Sequence, residues 1–270
     1  MDNNSIGIIV GSAFQLDMLR GLSASPIDIN TPFGPWTLYR VELRERNAYI
    51  SFRHGFPHHF LPHQIPYRAQ TWAFHFVQCQ ALLVTSSVGV LDPSLPLFQP
   101  LLLQDIMTVD NRLPDGSTCT MFTEPSPDHA HLVLKEGLIS KGLTQQLYTI
   151  VAPHHNDVPT DVVFGYVGGP RTKTKAENKM WRRFGAQVNS MTLAPEIILA
   201  NEMEIPCCSA VVGHKYSVPE INEPEDEHSV TESFELSRDA LGRVVRGFIS
   251  EIKPVPFGNH MYRYQEKTPG

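Results

Sequence analysis

The chain has 270 residues, of which 41% are hydrophobic and 19% are charged, and its formal net charge is −6 at pH 7. This composition is typical of a globular protein, and its acidic balance argues against an extended basic surface, so we expect no nucleic acid among its partners. The length fits one α/β domain over residues 1–270.

The N-terminal segment MDNNSIGIIVG has no basic residue ahead of its apolar run. No apolar stretch of the chain approaches the roughly 18–20 residues that a membrane span requires. We therefore expect no membrane partner and a cytoplasmic location.

Short apolar runs alternate with segments of helical period. The runs typical of strands are SIGIIVG at 5–11, AYISF at 48–52, ALLVTSS at 81–87, TIVAP at 149–153, DVVFGYVGG at 161–169 and CCSAVVG at 207–213. The helical segments are about 67–78, 173–185, 195–204 and 229–252. This alternation predicts a mixed, mostly parallel β-sheet flanked by helices. Residues 91–130 are rich in Pro, Asp and Ser and poorly periodic, which predicts a long loop region able to cover a site.

Cysteines and clustered histidines raise the question of a metal site. The cysteines are Cys79, Cys119, Cys207 and Cys208. They lack the spacing of metal ligands, which predicts reduced, buried thiols. The four histidines within residues 54–63 are interrupted by glycine and proline, which prevents the helical i, i+4 spacing of ligand pairs. We therefore predict no metal.

Small and polar residues follow the first two strands. Gly11-Ser12 offers backbone N–H groups and a hydroxyl to an anion, although any tight turn needs the same small residues. Arg53-His54 suits a bidentate grip on an oxyanion such as phosphate, or Arg53 pairs with a carboxylate elsewhere.

Three further loops repeat this pattern. Thr85-Ser86-Ser87-Val88-Gly89 is expected to end another strand, where its hydroxyls either face a ligand or form a local turn. Gly168–Arg171 and Ser190–Thr192 likewise precede helices. Because ligands of open α/β folds bind at the carboxyl ends of strands, the five loops together predict a small-molecule site.

Several segments match a known family in order over about residues 5–217. They are IGIIVGSAF, NTPFGP, RHGFPHHFLPHQIPYRAQTWA, VTSSVGVL, GGPRTKTKAE and FGAQVNSMTLAPEIILANE. The chain resembles the trimeric purine nucleoside phosphorylases, most closely their methylthioadenosine and methylthioinosine phosphorylase branch. The resemblance implies a single nucleoside phosphorylase-like domain, a homotrimer and no cofactor. It also implies cleavage of a ribosyl C–N bond by inorganic phosphate as co-substrate.

The resemblance also implies site residues. The phosphate site would be Ser12, Arg53, His54, Ser86, Ser87 and Thr192, all of which can donate hydrogen bonds. The nucleoside site would be His58, Gly89, Lys173, Met191, Lys215 and Ser217, with Met191 under the ribose and His58 near its 5′ substituent. Catalytic roles would fall to Arg53, His214 and Lys215. Arg53→Ala is expected to abolish phosphate-dependent turnover and to leave the fold intact.

The chain departs from the family where the leaving base is held. Lys215 replaces an Asp or Asn, Ser217 replaces a second Asp, and Lys173 stands where the family has a glutamate or a small residue. A lysine cannot accept a hydrogen bond from an amino-bearing purine. Lys215 would instead protonate the leaving nitrogen or pair with a negatively charged base.

Other placements of these residues stay open. Lys215 would otherwise turn to the surface and meet Glu202, Glu204 or the acidic run at 223–227. His214 is either a second polar group of the pocket or a satisfied histidine at a strand end.

Four functions are compatible with these residues. They are phosphorolysis of a modified nucleoside with an acidic or unusual base, phosphorolysis of a 6-oxopurine nucleoside, nucleoside or phosphate binding without catalysis, and N-ribosyl hydrolysis. The retained phosphate residues favour the first two.

Overall fold

The computed structural model describes residues 5–19, 21–44, 46–218 and 230–263, with the side chains of 230–234 left out. The strands are β1 Ser5–Val10, β2 Ala24–Thr31, β3 Gly34–Glu42, β4 Asn47–Phe52, β5 Cys79–Val90, β6 Pro100–Met107, β7 Ala130–Val133, β8 Val162–Tyr166, β9 Val188–Ser190, β10 Cys207–Tyr216 and β11 His260–Arg263. The α-helices are α1 Tyr67–Phe76, α2 Lys141–Val151, α3 Lys175–Arg183, α4 Ala194–Glu202 and α5 Val230–Glu251. Short 3₁₀ helices cover Leu16–Leu19 and Ala152–His154.

Nine strands form one mixed sheet in the order β10-β6-β8-β9-β5-β1-β4-β3-β2. Strand β5 pairs in parallel with both β1 and β10 and antiparallel with β9. Because β10 returns to β5, the strands β5, β9, β8, β6 and β10 close into a ring, and β1, β4, β3 and β2 extend from it as an open sheet. The strand ends that carry the predicted site therefore converge beside β5.

Apolar side chains of the central strands point to both faces of the sheet. On one face, Ile8 of β1 packs in the same cluster as Val244 and Phe248 of α5. On the other, Ile9 clusters with Phe74 of α1 and Ile197 of α4. Helices cover both faces, so β1 is buried along its whole length and reads as a continuous apolar run.

The predicted fold class is confirmed, and the four predicted helices occur as α1, α3, α4 and α5 with ends shifted by a few residues. The predicted strand at 149–153 is wrong, because these residues end α2 and form the following 3₁₀ turn. Leu143, Leu147 and Val151 are buried at four-residue intervals, which is the period of a helix. No described helix is both long enough and apolar enough to cross a membrane.

The prediction that 91–130 is one loop region is wrong in its middle. Strand β6 at Pro100–Met107 lies there, and Leu101, Leu102 and Leu103 are fully buried. Its proline stands at the first position, where a strand tolerates the missing N–H. The hairpin of β2 and β3, which the sequence analysis did not predict, forms the far edge of the sheet.

The four cysteines are buried free thiols. Burial raises the pKa of Cys79 and of Cys119 to about 12, so both thiols are protonated at neutral pH.

Gly7 of β1 packs directly against Phe74 of α1 and Cys79 of β5. A Cβ there would lie 2.7 Å from Phe74 ring atoms and 2.8 Å from Cys79 Sγ. We expect Gly7→Ala to lower the free energy of unfolding by about 1–3 kcal/mol, because a packed core resists added volume. Urea denaturation would measure it. Gly168→Ala, where no heavy atom lies within 4 Å, is the control, and equal losses in both variants would contradict the packing argument.

Candidate active site

A cavity of about 700 Å³ opens beside the carboxyl ends of β1, β4, β5 and β10. The structure brings all the predicted site residues to its lining: Ser12, Arg53, His54, His58, Ser86, Ser87, Gly89, Lys173, Met191, Thr192, His214, Lys215 and Ser217. A second cavity of about 800 Å³, bordered by α2, β6 and β8, contains none of them.

Strand register gathers one end of the cavity. Val10 of β1 pairs in parallel with Phe52 of β4, and the backbone N–H of Arg53 donates to Val10 O at 3.0 Å. The loops that begin at Gly11 and Arg53 therefore leave the sheet side by side. Thr85–Gly89 lies in the last residues of β5, as predicted, and pairing with β10 carries the strand on to Val90. We call this part of the cavity the phosphate end, after the predicted role of its residues.

Arg53 is held by a carboxylate that the sequence analysis did not identify. Its Nε and Nη2 donate to the two carboxylate oxygens of Glu196 at 2.5 and 2.9 Å, and both residues are buried. Pairing with a carboxylate and contact with the cavity, which were alternatives, are therefore combined. Nη1 points toward the first loop, since a Cβ on Gly11 would lie 3.1 Å from it.

His54 has a defined tautomer. Its Nδ1 lies 2.8 Å from Phe60 O, and because a carbonyl oxygen only accepts, Nδ1 carries the proton. Burial, followed by the charge of Arg53, lowers the pKa of His54 to about 4. The His58 ring stacks on His54 with 4.5 Å between the ring centroids, and its charge also lowers this pKa. His54 is thus neutral at pH 7, and with its proton on Nδ1 it presents Nε2 as an acceptor.

A strained turn follows Thr192. Leu193 is fully buried and has φ +80°, which costs of order 1–3 kcal/mol for a residue other than glycine. This turn starts α4, whose first turn contains Glu196. One local geometry therefore places both Thr192 and the partner of Arg53.

The other end of the cavity is built around Gly89. Gly89 of β5 is the strand partner of Lys215 on β10 and of Asn189 on β9. A Cβ on Gly89 would lie 2.5 Å from Ser217 Oγ, so a side chain at position 89 would collide with Ser217. We call this part the base end, after the predicted role of Lys215 and Ser217.

Two lysines line the base end, and Lys215 is the exposed one of the two. Lys173 is half-buried, and its pKa is lowered to about 8 by burial first and then by the charge of Lys215, with Glu177 acting in the opposite direction. The Glu177 carboxylate accepts from both Nη atoms of Arg171 at 2.8 and 2.7 Å and from Thr174 N at 2.7 Å. The lysines therefore repel each other, while the carboxylate of Glu177, which acts on Lys173, is engaged by Arg171 and Thr174.

Two of the surface partners proposed for Lys215 are occupied elsewhere. Glu202 accepts from Thr120 Oγ1 and Met121 N, and Glu204 forms an ion pair with Arg263 at 2.7 Å. The third alternative, the acidic run at 223–227, lies outside the described residues.

His214 lines the cavity beside Lys215. Burial, followed by the charges of Lys215 and Lys173, lowers the pKa of His214 to about 4, and a hydrogen bond to the backbone of Val88 opposes this shift. The ring is therefore neutral at pH 7. His214 thus both lines the cavity and bonds to the backbone of Val88, so the two placements that the sequence left open are combined.

A phosphorylase superfamily model matches residues 5–250. The chain belongs to this superfamily. The S-methyl-5′-thioadenosine phosphorylase of Pyrobaculum aerophilum is 31% identical over 207 residues, which cover 74% of this chain and 70% of that protein. A probable S-methyl-5′-thioinosine phosphorylase of Methanopyrus kandleri is 28% identical over 260 residues and covers 93% of each chain.

A solved structure shares the fold. The methylthioadenosine phosphorylase of Schistosoma mansoni, in complex with adenine, superposes with a TM-score of 0.77 at 24% identity and covers 92% of this chain and 91% of its own. The family assignment and the similar relatives confirm the predicted enzyme class, a nucleoside phosphorylase.

Three buried polar residues of the site in this phosphorylase were not predicted from the sequence: Glu196, Asn178 and Asn189. Asn189 Nδ2 donates a hydrogen bond of 3.0 Å to Asn178 Oδ1. Both asparagines line the base end, and Asn189 Oδ1 receives no hydrogen bond among the residues that the structure describes. The sequence signal for Asn189 was its polar side chain in the short strand β9, directly after the apolar Val188.

The four histidines within residues 54–63 do not come together as a group of metal ligands. Within the described part of the chain, no group of three His, Cys, Asp or Glu side chains is arranged to hold an ion. His59 instead contacts Pro57 O through Nδ1 at 2.7 Å.

Proposed function

We propose that this phosphorylase transfers the ribosyl group of a purine or modified nucleoside to inorganic phosphate. The products are the free base and a ribose 1-phosphate that carries any 5′ substituent of the substrate. Base specificity is atypical. The observation that carries this proposal is one cavity with a hydroxyl and guanidinium cluster at one end and two lysines at the other.

The phosphate end supplies donors of several kinds. Arg53 Nη1 and the hydroxyls of Ser12, Ser86 and Thr192 would donate to phosphate oxygens, and Ser87 would donate through its backbone N–H. His54 Nε2 would accept a hydrogen bond from a P–OH group, because the ring proton is on Nδ1 and is donated to Phe60 O. This mixture suits a singly protonated phosphate, which offers one donor and several acceptors.

Positioning then drives the reaction. A phosphate oxygen attacks C1′ of the ribose while the C1′–N bond breaks and its electron pair passes to the base. The phosphate charge stabilises the ribosyl cation-like transition state. The fixed positions of phosphate and ribose lower the activation barrier by on the order of several kcal/mol. In the proposal, Met191 lies under the ribose and His58 lies near the 5′ substituent.

The base end offers the leaving base the donors of two lysines, and beside them the acceptor Asn189 Oδ1. Lys173, Lys215 and Ser217 all present N–H or O–H groups. An amino group on a purine finds no acceptor on either lysine, whereas a keto oxygen or a negatively charged atom can accept a hydrogen bond from both. The proposal therefore favours 6-oxopurine or acidic bases over adenine.

A homotrimer remains part of the proposal. Leu61 lines the cavity and is 50% exposed, and the nearby Phe56 is 49% exposed, which is consistent with a subunit contact at the cavity mouth. Light scattering of the purified protein would test the trimer directly.

A nucleoside panel tests the activity. The substrates are methylthioadenosine, methylthioinosine, inosine, guanosine, xanthosine and nicotinate riboside, each with and without phosphate, with free base and ribose 1-phosphate as readouts. We expect turnover that requires phosphate and yields ribose 1-phosphate. Cleavage to free ribose without phosphate would establish a hydrolase instead. Phosphate and nucleoside binding without cleavage would support a silent relative.

A further inference from the structure

Formal charge is distributed unequally along the cavity. At the phosphate end, the Arg53 guanidinium is balanced by the Glu196 carboxylate, and His54 is neutral. At the base end, Lys173 and Lys215 have no carboxylate within ion-pair distance among the described residues, and Lys175 adds a third ammonium to the lining. The excess of positive charge therefore lies where the base is expected.

We propose that Lys173 and Lys215 bind an anionic group on the leaving base, so that the substrate is an N-riboside with a negatively charged aglycone. The anion is either a carboxylate attached to the heterocycle or a ring that ionises near neutral pH. The inference rests on the proposed phosphorolysis and names the substrate class of the same site. We call the two residues the lysine pair.

Electrostatics favour an anion over a neutral base. Lys173 is half-buried beside the charge of Lys215, and both its burial and that charge oppose its protonation. A bound anion offsets both the repulsion and the lost hydration. A neutral base would shield the same charges from water without pairing them, which disfavours its binding.

Strand register separates the lysine pair from the phosphate end. Lys215 pairs with Gly89, and Val211 pairs with Ser86 three residues earlier on β5. At the rise of a β-strand, three residues span about 10 Å. The backbone positions of Ser86 and Gly89 therefore lie far enough apart to place a ribose between two anions.

The chemistry of such a substrate balances. When phosphate oxygen bonds to C1′, the C1′–N electron pair passes to the ring nitrogen. A base that is already an anion then needs a proton at that nitrogen, and Lys173, with a pKa of about 8, donates one and regains it from solvent. A pyridinium base with a carboxylate needs no proton, because the electron pair neutralises the ring cation.

Matched substrates test the inference. Nicotinate riboside carries a carboxylate where nicotinamide riboside carries a neutral amide. Xanthosine has a base that ionises near neutral pH, whereas the base of inosine stays neutral there. We expect kcat/KM to favour the anionic member of each pair at least about tenfold in the wild-type protein, as one charged contact allows. Lys173→Met and Lys215→Met should each reduce this preference about tenfold and leave the KM for phosphate unchanged.

Lys179→Met is the control for charge removal, because Lys179 is exposed on α3 and does not line the cavity. It should leave the preference unchanged. Equal kcat/KM within both pairs, with active phosphorolysis, would overturn the inference and spare the proposed function. A higher KM for phosphate in the lysine variants, with no change of preference, would also overturn it, because the pair would then bind phosphate.

If no nucleoside is cleaved, the binding of free bases tests the anion site. Calorimetry in the presence of phosphate would compare the free bases nicotinate and nicotinamide. Tighter binding of nicotinate that is lost in both lysine variants would support the anion site although phosphorolysis had failed. Equal affinities would overturn the inference.

The pH profile supplies a second readout. The groups that act on Lys173 are Lys215, His214 and Glu177, and across pH 6–9 the His214 ring stays neutral while Glu177, with a pKa lowered to about 2, stays ionised. Lys173 has a lowered pKa, so it is charged below about pH 8 and loses its proton above that pH. The nicotinate preference should therefore fall as pH rises through about 8, and a flat profile in the wild-type protein would count against Lys173.

Discussion

Arg53→Ala is expected to remove phosphate-dependent turnover and to lower the free energy of unfolding by about 3–5 kcal/mol at the same time. The first effect follows because Nη1 is the guanidinium donor left for phosphate, and loss of one such donor costs about 10²–10³ in rate. The second follows because Glu196 is fully buried and would lose both of its hydrogen bonds. The structure thus corrects the expectation that this variant keeps an intact fold.

A double substitution separates the two effects. Arg53→Met with Glu196→Leu replaces the buried ion pair by apolar side chains of similar size, which is often neutral or stabilising. We expect this variant to recover most of the lost stability and to remain without phosphate-dependent activity. Glu196→Gln alone should be destabilised, because it leaves the Arg53 charge without a carboxylate.

Urea denaturation and ribose 1-phosphate formation measure the two properties independently. If the double variant regained turnover, Arg53 would not be a phosphate ligand. If Arg53→Ala kept wild-type stability, the ion pair would contribute nothing net to folding.

Local patterns explain why the phosphate end could be predicted. Gly11-Ser12, Arg53-His54 and Ser190–Thr192 are short segments next to apolar runs, and parallel pairing of β1 with β4 brings the first two together without further information. The resemblance to nucleoside phosphorylases added residue roles to positions that strand ends already marked.

Partners distant in sequence could not be predicted in the same way. Glu196 is 143 residues from Arg53, and nothing in either segment specifies the other. The tautomer of His54 depends on Phe60 O, a backbone atom in a Pro-interrupted loop that sequence reasoning cannot place. These contacts determine whether a group donates, accepts or carries charge, so the chemistry of the site needed coordinates.

The fold shows the same limit. Strand β6 closes the ring between β10 and β8, yet its flanks are rich in proline and polar residues that predict a loop. Residues 149–151 carry an apolar β-branched run but finish a helix, because Leu143 and Leu147 set a helical period that includes Val151. Tertiary packing overrode the local preference at both places.

Lys215→Asp is expected to reverse the base preference. An aspartate beside Gly89 would pair with Lys173, remove one positive charge and introduce a carboxylate that can accept from an amino-bearing purine. The ratio of kcat/KM for methylthioadenosine to that for xanthosine should rise about 100-fold, since one charged contact is gained and another lost, each worth about tenfold.

Lys215→Met is the matched control, because it removes the charge without adding an acceptor and should weaken xanthosine turnover without improving that of methylthioadenosine. If Lys215→Asp instead changed only the unfolding midpoint and left both kcat/KM values as they were, Lys215 would lie outside the base contact. The neutral control and the charge reversal together distinguish a base that is selected by an acceptor from one that is selected by positive charge.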